Sequence, residues 1–150
     1  MTTRLWLEDI KIGTTLCTGS HTVTTDEIVS FAAQYDPQPF HLSEASAADT
    51  FFGGLAASGW HTAAITMRLL VTSGLPIAHG IIGARMELVW PTPTRPGDEL
   101  HVELLVTDVT PAPSLTAPGF VTTEHSTLNQ AGKLRQRTKA RIVVFNKPPG

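Results

Sequence analysis

Apolar residues along this chain follow two periods, helical in the first half and alternating in the second. Ile28, Phe31, Ala32 and Tyr35 are spaced i, i+3, i+4, i+7, which predicts a helix with one buried face. Thr24 precedes it and Glu27 stands three residues later, the pattern of a capping box. Pro37 closes this helix, because a residue before proline is pushed out of the α region. A short strand, Leu16 to Val23, comes before it. The two prolines in Asp36-Pro37-Gln38-Pro39-Phe40-His41 predict a stiff, extended loop, followed by a second short helix from Ser43 to about Asp49. A longer helix is expected over Gly59 to Ser73, with Ser58 as its N-cap and Gly74 at C′. At 1.5 Å per residue it is roughly 20 Å long. Trp60, Ala63, Ala64, Ile65, Met67, Leu69, Leu70 and Val71 surround much of its circumference, so it reads as a helix buried in a core.

Beyond residue 80 the pattern changes. Ile81 to Trp90, Glu99 to Val109, Val121 to Asn129 and Leu134 to Phe145 read as strands. Leu100, Val102, Leu104 and Val106 give the clearest alternation, and Asn129-Gln130-Ala131-Gly132 supplies a hairpin turn. Pro91 to Asp98 and the proline-rich Thr110 to Gly119 separate the earlier strands. One long buried helix plus a run of antiparallel strands is an α+β layout. A curved sheet wrapped around a central helix, the hotdog fold, packs it in a single domain over residues 1–150.

Composition narrows the chemistry. The chain has 41% hydrophobic and 16% charged residues and a formal net charge of −2, with no cluster of Lys or Arg that would track a nucleic acid. Cys17 stands alone, which points to a reducing, cytoplasmic setting, and it has no electropositive neighbours in sequence to make it reactive. Met1 to Glu8 lacks the apolar segment of a secretory leader. No apolar run reaches the ~20 residues of a membrane span. The histidines fall singly, without metal-ligand spacing, and no glycine-rich phosphate motif is present, so neither a metal nor a nucleotide cofactor is expected.

Three segments carry a family resemblance. Tyr35-Asp36-Pro37-Gln38-Pro39-Phe40-His41-Leu42 resembles the MaoC-like, or (R)-specific hydratase, family, which has an aspartate five residues before a histidine with a proline between. Gly53-Gly54-Leu55-Ala56-Ala57-Ser58-Gly59-Trp60-His61-Thr62 resembles that family's glycine-bearing start of the central helix. Pro91-Thr92-Pro93-Thr94-Arg95-Pro96-Gly97-Asp98 resembles its turn into the next strand. The likeness covers nearly the whole chain. Gln38 stands where many members have asparagine, and Ser58 where many have histidine.

The resemblance implies a hydratase/dehydratase acting on an acyl-CoA or acyl-carrier thioester. Asp36 and His41 would form its acid/base pair. Gly59 would offer a backbone N–H at a helix start to the enolate-like thioester oxygen, with Ser58 beside it as cap and possible substrate contact. On the residues alone, Asp36 reads equally as a helix terminator and His41 as a packed histidine. Gly59 reads equally as relief of crowding. His61 is taken as structural. Trp60, Phe51 and Phe52 are candidates for an acyl pocket or for core. A hotdog thioesterase would place a carboxylate near the helix start, and Ser58 to Thr66 has none. A non-catalytic acyl-binding subunit would need neither Asp36 nor His41. The apolar helix and an open sheet edge also predict a homodimer or dimer of dimers joined edge to edge.

Overall fold

The computed structural model describes residues 3–150; Met1 and Thr2, at the start of the segment read for a leader, lie outside them. After a short 3-10 turn at Leu7–Asp9, the chain forms β1 (Thr15–Thr22), α1 (Thr25–Tyr35), two single-turn helices α2 (Pro39–Leu42) and α3 (Glu44–Ala47), and α4 (Gly59–Ser73). Four strands follow: β2 (Ile82–Val89), β3 (Glu99–Thr110), β4 (Gly119–Leu128) and β5 (Leu134–Val144). One five-stranded sheet results, in the order β1-β3-β4-β5-β2, every pairing antiparallel. This is the expected hotdog arrangement, with α4 lying across the sheet against β1, β3 and β5. Among the described residues no helix is long and apolar enough to cross a membrane.

Alternation builds the core. Leu100, Val102, Leu104 and Val106 of β3 are all buried, as are Ala140, Ile142 and Val144 of β5. They meet Ile65, Leu69 and Leu70 from α4 and Ile28 from α1 in one cluster. The capping box forms as read: Glu27 N donates to Thr24 Oγ1 at 3.2 Å, and Thr24 N to Glu27 Oε1 at 3.1 Å. The hairpin turn also forms, with Gly132 at φ +73° and Asn129 Oδ1 accepting from the Ala131 and Lys133 amides.

Four expectations need correction. Tyr35 is 72% exposed although its spacing put it on the buried face of α1; only Ile28 and Ala32 are fully covered. The helix after Ser43 is one turn long, ending at Ala47. Gly74 ends α4 at φ −116°, not in the left-handed region, and its small size is needed because a Cβ would meet Leu70 Cα at 3.0 Å. Finally, α4 is not covered all round. His61, Thr62, Ile65, Thr66, Leu69 and Leu70 face the sheet, while Trp60 and Val71 are each 61% exposed. A single sheet can cover only one side of a helix.

The β2–β3 turn is fixed to the sheet through Asp98, which is 5% exposed. Its Oδ2 accepts from Arg135 Nε at 2.9 Å and from the Arg95 amide at 2.9 Å; its Oδ1 accepts from Asn129 Nδ2 at 3.1 Å. Burial raises the Asp98 carboxyl, but the Arg95 amide, Arg135 and Asn129 outweigh it, so the net position is below the usual 3.8. Stability from this group is therefore present above that ordinary value and is lost as pH falls through the lower folded value. Asp98→Asn leaves Arg135 buried without its counter-charge and is expected to cost about 3–5 kcal/mol near neutral pH in urea unfolding. The stability gap to wild type should close as pH falls below the depressed value.

Candidate active site

Two prolines shape the segment between α1 and α3. Asp36 caps α1 at φ −153°, ψ 64°, outside the helical region as Pro37 requires. Gln38 is extended at φ −102°, ψ 149°, as a residue before Pro39 must be. The extended loop stops there, however. Pro39 is the first residue of α2, where its fixed φ suits a helix and its missing N–H is no loss. His41 therefore stands on a helical turn, not on extended chain, and that turn folds its ring back toward Asp36.

The imidazole is 4% exposed and held at both nitrogens. Nδ1 lies 2.6 Å from the carbonyl oxygen of Ala56. A carbonyl can only accept, so Nδ1 carries a hydrogen and donates it. That commits Nε2 to the other partner, the Asp36 Oδ2 at 3.2 Å. This second contact is attractive only if a proton lies between the two atoms. Phe40 meets the ring edge-on at 4.5 Å, and Phe52 lies at 6.2 Å.

Asp36 gathers donors of its own. The Gln38 carboxamide donates to Oδ1 at 2.5 Å. Burial raises its carboxyl, while hydrogen bonds from Ser58 and Gln38 and the charge of His41 together take it below the ordinary 3.8. Ser58 is fully buried, and its oxygen also accepts from the Trp60 amide at 3.3 Å as the α4 cap. One hydroxyl thus links the helix start to the carboxylate.

Gly59, the first residue of α4, shares a cavity of about 330 Å³ with His41. Phe51, Phe52, Thr62, Trp90, Thr94 and Arg135 also line it. The His61 and Thr62 amides donate to the Ser58 carbonyl, and the Trp60 amide to its hydroxyl. Among the described residues the Gly59 amide has no acceptor, which suits it to bind an oxygen with developing negative charge. The absent side chain has another reason than ligand access. A Cβ here would lie 2.7 Å from Trp90 Cε2, so the indole, which lines the same cavity, packs directly on Gly59.

The structure thus brings Asp36, His41, Ser58 and Gly59 together at one end of α4. Phe51 and Phe52 line the cavity, but Trp60 does not; it packs edge-on against Trp90 at 5.3 Å. His61 is buried and stacks on Phe31 at 4.7 Å, away from the cavity lining, and Cys17 is exposed. Trp90, Thr94, Arg135 and the Ala56 carbonyl went unmarked in the sequence; only the proline-rich turn beginning at Pro91 hinted at the first two. A larger depression of about 640 Å³ lies elsewhere on the sheet, among Cys17, Glu103, Glu124, His125 and Arg137.

The chain matches the family model described as a MaoC like domain over residues 9–127. It is 57% identical to a MaoC-like dehydratase from Rhodospirillum rubrum, whose crystal structure superposes with a TM-score of 0.93 over 97% of this chain and 99% of that one. A 3-hydroxybutyryl-CoA dehydratase from Methylorubrum extorquens is 33% identical over 108 residues, 71% of this chain and 67% of that protein. An R-hydratase from Pseudomonas aeruginosa is 26% identical with a TM-score of 0.79, over 98% of this chain and 96% of that one.

Ser58→Ala separates the two duties of its hydroxyl. Loss of the cap is expected to cost about 1 kcal/mol in denaturant unfolding. Loss of the hydrogen bond should move the Asp36 carboxyl upward in a carbon-detected NMR titration. The stability that Asp36 contributes above its ordinary value would then disappear at a higher pH than in wild type.

Proposed function

This chain belongs to the MaoC-like domain family, and on that premise we propose that it is a reversible hydratase/dehydratase of 2-enoyl thioesters with Asp36 and His41 as its acid/base pair. The observation that carries this reading is the 3.2 Å contact of His41 Nε2 with Asp36 Oδ2, made while Nδ1 is committed to Ala56, beside the unpaired Gly59 amide. A water beside the pair would lose its proton to the Asp36 carboxylate as its oxygen bonds to the β-carbon. Electron density moves from the double bond to the thioester oxygen, which Gly59 N–H stabilises. The pair then returns a proton to the α-carbon, giving a 3-hydroxyacyl thioester; the elements of one water are added and nothing else is consumed. Dehydration is the same path reversed.

The acid/base pair supplies both proton transfers, so the reaction as proposed calls for no metal or organic cofactor. The likeness to the Pseudomonas R-hydratase supports the (R)-3-hydroxyacyl product, and the Methylorubrum relative supports coenzyme A as carrier, with an acyl carrier protein as the alternative. We place the protein in the cytoplasm, where such thioesters are handled. A thioesterase is the competing reading, and the first turn of α4 offers it no carboxylate.

We also propose a homodimer. The strand β2 is one of the two sheet edges, and it exposes Ile82, Met86 and Val89 at 44%, 41% and 57%. The uncovered stripe of α4 holds Trp60 and Val71. A second copy paired along β2 would close the edge and cover both sets. Sedimentation velocity at micromolar concentration should give twice the mass of one chain; a monomer would remove the proposal.

The catalytic reading is tested with a panel of 2-enoyl-CoA thioesters. The conjugated absorbance should fall without release of free thiol, and thiol release in step with substrate loss would establish the thioesterase instead. Asp36→Asn and His41→Ala should each lower kcat by about 10²–10⁴. The double variant should lose far less than the product of the two, because the residues act as one unit.

A further inference from the structure

We propose that Trp90, positioned by Gln136, is the specificity-determining residue of the acyl pocket and restricts it to short-chain 2-enoyl thioesters, an inference that rests on the hydratase reading above. Trp90 follows directly on the last residue of β2 and turns its indole onto Gly59. Three ring atoms, Cε2, Cδ2 and Cζ2, come within 2.7, 2.8 and 3.0 Å of where a Gly59 Cβ would be. A flat ring thus lies against the residue whose amide faces the thioester oxygen. The acyl carbons next to the carbonyl meet this wall first.

The indole has little freedom to move aside. Its Nε1 donates to Gln136 Oε1 at 2.9 Å. Gln136 is 1% exposed, and its own amide donates to Thr138 Oγ1 at 3.0 Å and Thr66 Oγ1 at 3.5 Å. Swinging the ring away would leave Gln136 Oε1 buried without a donor.

The floor of the cavity is equally unsuited to a long chain. Thr62 and Thr94, both 2% exposed, join their hydroxyls at 2.8 Å. One helical turn further, Thr66 Oγ1 meets Thr127 Oγ1 at 2.6 Å. A long alkyl tail threading between α4 and the sheet would have to displace these hydroxyls and the Gln136 carboxamide, and could replace none of their hydrogen bonds. The cavity of about 330 Å³ is at the small end of the roughly 300–1,000 Å³ found for ligand sites. Among its lining residues, Phe51 is 98% exposed, while Thr62 and Thr94 are buried with their hydroxyls engaged by each other.

The test measures binding and turnover separately on wild type, Trp90→Ala and Trp90→Leu, the second guarding against a folding defect in the first. Dissociation constants for butanoyl-CoA and octanoyl-CoA, which cannot react, are read by calorimetry. Values of kcat/KM are read on trans-2-butenoyl-CoA and trans-2-octenoyl-CoA. Wild type should favour the four-carbon ligand by at least about tenfold in both measurements, and the Trp90 variants should lose or invert that preference. Gln136→Leu should shift the ratio the same way, and Gln136→Glu, which keeps the acceptor, should restore it. A wild type indifferent to chain length, or folded Trp90 variants with the wild-type ratio, would overturn the proposal. A Gln136→Leu variant that is less stable but keeps the ratio would overturn its positioning role. Trp90-dependent preference for butanoyl-CoA without hydration of any enoyl thioester would sink the hydratase reading and leave the pocket assignment standing. Equal hydration of both lengths would do the reverse.

Discussion

A buried helix start must find acceptors for its first amides, and the arrangement at this end of the molecule answers that need. Ser58 satisfies three of them: its hydroxyl takes the Trp60 amide, and its carbonyl takes those of His61 and Thr62. Among the described residues the Gly59 amide is left without an acceptor. The same hydroxyl helps to lower the Asp36 carboxyl, so the carboxylate answers to the residue that caps the helix. Neighbouring parts follow. Ala57 N donates to Thr94 O, which ties the residue before Ser58 to the β2–β3 turn, and Asp98 ties that turn to Arg135 of β5. A shift of the helix start would therefore be felt at the acid/base pair, the cavity wall and the sheet together.

The charged groups around the site divide by environment. Asp98 and Arg135 are both deeply buried and neutralise each other, with every Asp98 oxygen engaged. Nothing is left for chemistry, although Arg135 touches the cavity. Asp36 is different. Its partner is a histidine, whose proton can leave, and its other contacts are neutral donors. Both aspartates are pulled below the ordinary carboxylate value, but only one is paired with an imidazole.

Local signals carried the sequence reading. The Thr24–Glu27 box, the alternation in β3 and the Asn129–Gly132 turn each depend on residues a few positions apart, and each formed as read. The Asp36 and His41 pair was legible only through the family resemblance, since on the residues alone a helix terminator and a packed histidine read equally well. The exact path between them was not, because Pro39 suits an extended chain and a first helical position alike. Contacts across long separations left no trace in the pattern. Trp90 meets Gly59 from thirty-one positions away, and the Ala56 carbonyl that fixes the His41 tautomer is a backbone atom any residue would provide. The stripe of α4 that holds Trp60 and Val71 was misread, because periodicity reports which residues avoid water but not whether one sheet can shelter them all.

The guanidinium of Arg95 donates to the carbonyls of Phe52, Gly54 and Leu55, some forty residues earlier in the chain. Those three carbonyls belong to the loop that brings Phe52 against Phe40 and leads into the α4 cap. No strand or helix of their own holds them. From the other side the same loop is held locally, the Leu55 amide by Glu44 Oε2 and the Ala56 amide by the Phe40 carbonyl. One guanidinium outside the site thus couples the β2–β3 turn to the wall around His41, so a substitution at Arg95 would loosen that wall without touching the acid/base pair.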